Sequence, residues 1–374
     1  MRVTHIVTRL GRGGTDNNVL HLAGWQRRHG HEASLVVGES SETAMAPSWL
    51  PVEVVGGLVR EPAPADDLRA LRAVRRILLR QRPDVVHTHQ SKAGIVGRLA
   101  AVRRVPVTVH TIHMASFGPS YGRTSKVFEA GERVCARLTD VFVSVGVELR
   151  DTYLARGLGR PDRFMVVRSP VRLESFLPVR DWSPERRAAG RESLGVPAGA
   201  AVLLTVGFLE RRKRHDLLLR RLRPLLRPDG AVLLVAGTGD QRPELERLAA
   251  ELGVADSVRF LGHVEAVEGV FAAADLLVHT SAVEGVPQVV VQALAAGLPV
   301  VATEAEGLRE VPGSPVRVVD RSGTGLLVAV EEVLERPPAP VPPASLDQWT
   351  EESIERQISQ LHGVLETCLA RRAG

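Results

Sequence analysis

Glu284-Gly285-Val286-Pro287-Gln288-Val289-Val290-Val291-Gln292-Ala293-Leu294-Ala295-Ala296-Gly297-Leu298-Pro299-Val300-Val301-Ala302 is the stretch that decides the fold. A carboxylate stands before a Gly-X-Pro turn, an apolar helix begins, and a glycine ends it before the chain re-enters a buried strand. Such a turn aims the N–H groups of a helix start at an anion. Glu284, beside them, is placed to accept hydrogen bonds from sugar hydroxyls, and Gly285, Val286 and Pro287 form the turn itself. The plainer alternative is a glutamate that caps its own helix.

Working outward, the same strand-helix rhythm recurs on both sides. Strands are expected at 201–206, 231–235, 257–261, 275–279 and 298–302, with helices between them. Upstream, strands at 2–8, 33–37, 84–87, 107–110 and 141–144 alternate with helices near 17–28, 66–81, 92–103 and 124–137. Alternation at this spacing implies parallel sheets with crossover helices. The two series are separated by an irregular segment, 168–200, that carries Pro170, Pro178, Pro184, Gly195 and Pro197. The expected architecture is α/β, with two Rossmann-like doubly wound domains, 1–170 and 171–345, facing across a cleft. After the proline-rich 337–343 comes a last piece, 346–374, in which Leu346, Trp349, Ile354, Ile358, Leu361 and Leu365 are spaced for one face of a helix over 346–371. Open α/β sheets bind ligands beyond the carboxyl ends of their strands, so the site is expected there.

Composition narrows the class. Of the 374 residues 44% are apolar and 24% charged, enough for two cores and unlike a disordered chain. The two cysteines, Cys135 and Cys368, offer neither a disulfide framework nor thiolate zinc spacing, which fits a reducing cytoplasm. The opening MRVTHIV reads as a first strand and not a secretory leader. No run reaches the roughly 18 apolar residues of a spanning helix, so membrane contact is expected to be peripheral at most. Arg69, Arg72, Arg75, Arg76, Arg80 and Arg82 fit a solvated helix face, with a patch for an anionic lipid surface or acidic acceptor as the alternative. No basic run is interleaved with aromatics, so no nucleic-acid partner is expected.

Four further segments carry candidate chemistry. Gly13 and Gly14 follow the first strand and open the first helix, where glycine lets backbone amides approach a phosphate; a tight turn needs glycine for steric reasons too. His89 and Lys92 lie in the run 87–94, HTHQSKAG, and His113 ends the H-T-I-H segment 110–113. Imidazoles at the ends of neighbouring strands can hydrogen-bond sugar hydroxyls or phosphate oxygens. His87 and His110, one step further back, read as structural, and no carboxylate or thiol completes a zinc set. The fourth segment is Gly207-Phe208-Leu209-Glu210-Arg211-Arg212-Lys213. Lys92, Lys126 and Lys213 are the only lysines in a chain with 48 Lys and Arg together. A retained lysine therefore points to a site that needs a compact ammonium, and Lys213, with Arg212 beside it, suits a pyrophosphate clamp.

With these motifs in place the sequence resembles the retaining glycosyltransferases of family 4, which have the GT-B fold, and the resemblance covers nearly the whole chain. It implies a nucleotide-sugar donor, by default a UDP-sugar, a hydroxyl acceptor, and no metal or other cofactor, in keeping with the lack of any Asp-X-Asp. It implies that Glu284 contacts the transferred sugar, Lys213 the donor pyrophosphate and His113 the reacting sugar. Gly13 and Gly14 would serve the donor-phosphate loop, and the helix over 346–371 would return to the first domain. Two positions depart from the family: Phe208 stands where an arginine usually helps neutralise pyrophosphate, and Gln292 stands where a second glutamate holds the ribose. Arg211 or Arg212 is the candidate substitute for the first. A sugar-nucleotide epimerase of the same architecture and a non-catalytic nucleotide-binding protein are the competing readings.

Overall fold

The computed structural model describes residues 1–11, 13–115, 117–118, 122, 124–227, 229–311 and 315–373. The chain forms two compact units, Met1–Pro170 with Glu352–Gly374, and Val171–Glu351.

The first unit runs β1 (Arg2–Val7), α1 (Gly14–Arg28), β2 (Glu32–Gly38), β3 (Val52–Val55), α2 (Pro64–Gln81), β4 (Val85–His89), α3 (Ser91–Ala101), β5 (Val107–Ile112), α4 (Thr124–Ala136), β6 (Val141–Ser144), α5 (Val147–Ala155) and β7 (Phe164–Val166). The strands form one parallel sheet in the order β3-β2-β1-β4-β5-β6-β7. Strands covered on both faces are usually near-continuous apolar runs, but β1 (RVTHIV) and β5 (VTVHTI) are buried nearly throughout while carrying Thr and His among their Val and Ile. One layer of core joins Ile6 and Val86 to α2 and α3, and the other joins Val3, Leu22, Val85 and Val107 to the C-terminal helix Glu351–Ala373 through Ile354, Ile358, Leu361 and Leu365. The basic face of α2 is solvated, and Arg69 and Arg80 pair there with Asp66 and Glu53.

The second unit runs α6 (Leu173–Phe176), α7 (Pro184–Ser193), β8 (Ala201–Val206), α8 (His215–Leu222), β9 (Ala231–Ala236), α9 (Arg242–Glu251), β10 (Val258–Gly262), α10 (Glu268–Ala273), β11 (Leu276–His279), α11 (Gln288–Ala295), β12 (Val300–Thr303), β13 (Val316–Val319) and α12 (Leu326–Glu335). Its parallel sheet has the order β10-β9-β8-β11-β12-β13. Both sheets reverse direction of winding next to their first strand, which is where doubly wound sheets place ligands.

Two expectations are corrected. Leu346 and Trp349 do not belong to the last helix: they lie in a short 3-10 turn, Pro343–Trp349, and are buried in the core of the second unit. The helix starts at Glu351, after Thr350, so the apolar face expected as one stripe is divided between the two units. Strands β3, β7 and β13, absent from the expected series, are sheet edges of three or four residues, with Val54 and Val318 exposed.

Among the described residues no helix is long and apolar enough to cross a membrane.

Candidate active site

In the second unit, a 3-10 turn, Arg211–Lys213, follows β8, and the loop leading to α11 follows β11. These two strand ends are tied together by the backbone of the turn. Ala282 N–H donates to Arg212 O at 2.8 Å, and the Thr280 hydroxyl donates to Lys213 O at 2.9 Å. Arg212 then donates through Nε to Glu210 at 2.6 Å and through a guanidinium nitrogen to Val283 O at 3.4 Å. The consequence is that residues 71 positions apart meet: Lys213 Nζ donates to Glu284 Oε1 at 2.5 Å.

Glycines make this approach possible. A Cβ at Gly237, where φ is +145°, would stand 1.9 Å from Gly207 O, so the ends of β8 and β9 pack backbone to backbone. A Cβ at Gly307, where φ is +80°, would stand 1.9 Å from Gly285 O and hold the Glu284 turn away. Neither Gly237 nor Gly307 stands out in the sequence, because each serves a contact made by another loop.

Charge then sets the state of Glu284. Burial pushes its carboxyl up, but Lys213, followed by Arg212 and His279, more than offsets this and holds it at about 2. Arg212 lies 3.9 Å from Glu284 Oε2 and His279 Nε2 3.5 Å from Oε1. His279, the last residue of β11, was not singled out by sequence; it occupies the same kind of strand-end position as His89. Burial lowers His279 to about 4 and His215 to about 3, so both rings are neutral at pH 7. The result is a carboxylate kept ionised beside two cations and the neutral ring of His279. Phe208 is half-buried and Arg211 exposed, so Arg212 is the guanidinium held at this carboxylate. Gln292, on α11, donates from its amide to Val171 O at 3.3 Å. Gly285, Val286 and Pro287 lead into the start of α11, with Pro287 as its N-cap.

The first unit is furnished differently. Gly13 caps α1, and its N–H donates to Asp16 Oδ2 at 2.9 Å while Gly14 begins the helix. Burial raises the Asp16 carboxyl to about 6. Strand β4 extends two residues beyond its expected end, which makes His89 its last residue and fully buried. Residues two apart share a strand face, so His87 and His89 lie together, and register places His5 of β1 beside His87. His89 Nδ1 lies 3.1 Å from His113 Nε2, and His5 Nδ1 lies 3.0 Å from His89 Nε2. His87 pairs with Thr111 at 2.6 Å and His110 with Thr88 at 2.9 Å. Burial, reinforced by the neighbouring rings, keeps His87 and His89 neutral well below the usual imidazole range. His5, His87 and His89 bring one nitrogen each within 4.8 Å of one another, but the facing nitrogens of His5 and His89 already share a hydrogen bond. Lys92 is buried and its ammonium is paired with Asp67 of α2. Between β4 and α3, Gln90 adopts φ 61° and ψ 163°, a region used almost only by glycine, and its side-chain oxygen accepts from Thr8 N–H at 3.1 Å.

Residues 13–170 match the family described as glycosyl transferase 4-like domain, and residues 200–336 match the family described as glycosyl transferases group 1. A D-inositol 3-phosphate glycosyltransferase of Streptomyces scabiei is 34% identical over 293 residues, which cover 73% of this chain and 63% of that relative. The chain thus spans less than two thirds of that relative's length. Among solved structures, sucrose-phosphate synthase from Thermosynechococcus elongatus is similar with a TM-score of 0.81 at 19% identity, covering 98% of this chain and 99% of the other. Anabaena Alr3699/HepE in complex with UDP-glucose is similar with a TM-score of 0.71 at 21% identity, covering 100% and 98%. At these identities the two structures speak for the GT-B fold. With a 4-like domain in its first unit and a group 1 domain in its second, the chain belongs to the family-4-type glycosyltransferases.

Proposed function

We propose that the chain moves a sugar from a nucleoside-diphosphate donor, with UDP-sugars the first class to test, to a hydroxyl acceptor, with retention of configuration and without a metal or other cofactor. The observation that carries this is the Lys213–Glu284 pair, set by two backbone-packed loops at the ends of β8 and β11. Cleavage of the bond between the anomeric carbon and the phosphate oxygen leaves charge on the diphosphate. A fixed ammonium stabilises that charge without reorganising at the moment of reaction. Lys213 and Arg212 supply the cations, and the amides of Gly285, Val286 and the start of α11 supply dipoles. Glu284, ionised and acceptor-only, receives hydrogen bonds from the hydroxyls of the transferred sugar. When the diphosphate takes over Lys213, Glu284 turns from ion-pair partner to sugar ligand. Gln292 accepts from the ribose, Gly13 and Gly14 let the first unit's backbone approach the donor phosphate, and His113 reads the reacting sugar. His89 and Lys92 act from behind on the acceptor side, by holding His113 and α3.

UDP is bound by Alr3699/HepE in the similar structures, which makes it the first nucleotide to screen. The relatives named for D-inositol 3-phosphate make a phosphorylated polyol the first acceptor to try. Thermal-shift screening of nucleoside diphosphates should show one base raising Tm, because a ligand that binds only the folded state stabilises it by mass action. Incubation of the matching nucleotide sugar with acceptor, followed by NMR of the product's anomeric proton, should then show retention. Inversion, epimerised donor without transfer, or a strict need for added divalent metal would each overturn the corresponding part of this reading.

A further inference from the structure

We propose that Gln26 is a positioning residue: its amide fixes which ring nitrogen of His113 carries the proton, acting through His5 and His89. The inference rests on the role given above to His113. Gln26, 1% exposed on α1, faces His5 with its carbonyl oxygen, at 2.8 Å from His5 Nε2. Its amide nitrogen faces His362 Nε2 of the C-terminal helix at 3.3 Å. From His5 the bonds continue to His89 at 3.0 Å and from His89 to His113 at 3.1 Å.

Each neutral imidazole has one N–H and one lone pair, so in a chain of such rings the choice made at one end is imposed on every member. Burial lowers His5 to about 4, and lowers His89 and His113 as well, so the rings are neutral at pH 7. The Gln26 oxygen can only accept, and His5 therefore donates from Nε2 and keeps the lone pair on Nδ1. His89 must donate into that lone pair from Nε2, which leaves its Nδ1 as acceptor. His113 must in turn donate from Nε2, and its Nδ1 is left with the lone pair. At the other end the amide nitrogen donates into the lone pair of His362 Nε2, so His362 carries its proton on Nδ1; that buried N–H has no acceptor among the described residues and is the energetic cost of this order. Rotating the amide by half a turn would reverse every proton and place the His113 proton on Nδ1. Only the first arrangement lets His113 Nδ1 accept a hydrogen bond from a donor-sugar hydroxyl.

Gln26→Met keeps the side chain's length but removes both polar atoms. A buried N–H without an acceptor costs more than a buried lone pair without a donor, so His5 should move its proton to Nδ1 and the chain should reverse. Long-range proton-nitrogen NMR of histidine-labelled protein tests this directly. In the wild type, His5, His89 and His113 should all show pyrrole-type Nε2; in Gln26→Met, His113 should show pyrrole-type Nδ1. Gln26→Glu, an acceptor towards both His5 and His362, should keep the wild-type pattern. With a nucleotide sugar, Gln26→Met should lower kcat/KM by on the order of tenfold to a hundredfold and Gln26→Glu should restore most of it, while UDP alone binds all three proteins equally. A wild-type His113 protonated at Nδ1, or a tautomer unmoved in Gln26→Met, overturns the assignment of Gln26. Should Gln26→Met fail to fold, the wild-type and Gln26→Glu spectra decide by the same signals. A reversed tautomer with unchanged turnover leaves Gln26 in place and overturns the role of His113 instead.

Discussion

Within β1 and at the ends of β4 and β5 the first unit carries neutral rings joined by hydrogen bonds; beyond the ends of β8 and β11 the second carries a lysine and a glutamate joined as ions. Nine of the twelve histidines lie in the first unit and three in the second. One topology thus supports two kinds of polar site. A neutral network is defined by where its protons sit, so it is rigid and specific but intolerant of acid. A charged pair is defined by field, tolerates acid as long as the carboxylate stays ionised, and suits a ligand that brings charge of its own.

Acid should separate the two most strongly. A buried histidine whose folded pKa lies below 6.5 takes up a proton more readily when unfolded, so its stabilisation is complete above about pH 6.5 and is lost as pH falls towards its folded value. For His5, lowered to about 4 by burial, that loss is about 3 kcal/mol, and His87, His89 and His110 add to it in the same direction. The second unit has two such rings, His215 and His279. Glu284 works over a different range: its stabilisation is present above about pH 4.5 and fades only as pH falls towards about 2. Amide hydrogen exchange between pH 6.5 and 4 should therefore show the strands of the first unit losing protection first. Simultaneous loss in both sheets would break the comparison.

The first unit also contains an ion pair buried on both sides, and it should behave unlike the one in the second. Arg98 and Glu132, 0% and 1% exposed, are joined by two bonds of 2.7 and 2.8 Å, with Thr139 and Gly94 O completing the guanidinium's partners. No ligand can share this pair, so its role is structural. Arg98→Met strands a buried carboxylate and should cost about 3–5 kcal/mol, whereas Arg98→Met with Glu132→Leu should recover most of that loss. Denaturant titrations of the three proteins measure both; a double variant as unstable as the single one would refute the account.

Lys213 belongs to the opposite class. Lys213→Arg keeps the charge, but a planar fork does not fit where a compact ammonium meets one carboxylate oxygen and, in the proposed reaction, one diphosphate oxygen. Turnover should fall on the order of 10²–10³, equivalent to about 3–4 kcal/mol, as when one preorganised donor is removed at a developing anion. Binding of free UDP should fall less, because the contact strengthens as charge accumulates. Steady-state kinetics with calorimetry would show it, and an Arg variant as active as wild type would move the clamp to Arg212.

What the sequence revealed follows the same division. Strand-helix alternation exposed the central strands of both sheets because they are buried and rich in Val, Ile and Leu, whereas β3, β7 and β13 escaped because they are edge strands, short and half-solvated. Lys213 and Glu284 were legible because rarity and a turn motif mark them locally. Their mutual contact was not, since it depends on Ala282 and Thr280 gripping a turn some 70 residues earlier. His5 and Gln26 were illegible for a related reason: a hydrogen-bond chain across β1, β4 and α1 is written in register and not in any local motif. Trp349 was assigned to the wrong unit because helical spacing carries through a break that only the 3-10 turn reveals.

The smallest expected effect lies at Gln292, where the family usually has glutamate. Here the amide has two directions of use. Its nitrogen donates to Val171 O at 3.3 Å, which a carboxylate cannot do, and its oxygen remains an acceptor for a ribose hydroxyl. Gln292→Glu should thus lose one ordinary hydrogen bond and face two acceptors towards each other, lowering the stability of the second unit by about 0.5–1.5 kcal/mol. Nucleotide affinity should change little, because either side chain accepts from the ribose. Gln292→Leu removes both uses and should weaken UDP binding as well as stability. Thermal unfolding with and without UDP separates the two effects. If Gln292→Glu bound UDP far more tightly than wild type, the amide would be a compromise made for Val171; if Gln292→Leu bound UDP unchanged, α11 would hold the ribose through its backbone and the side chain would serve the fold alone.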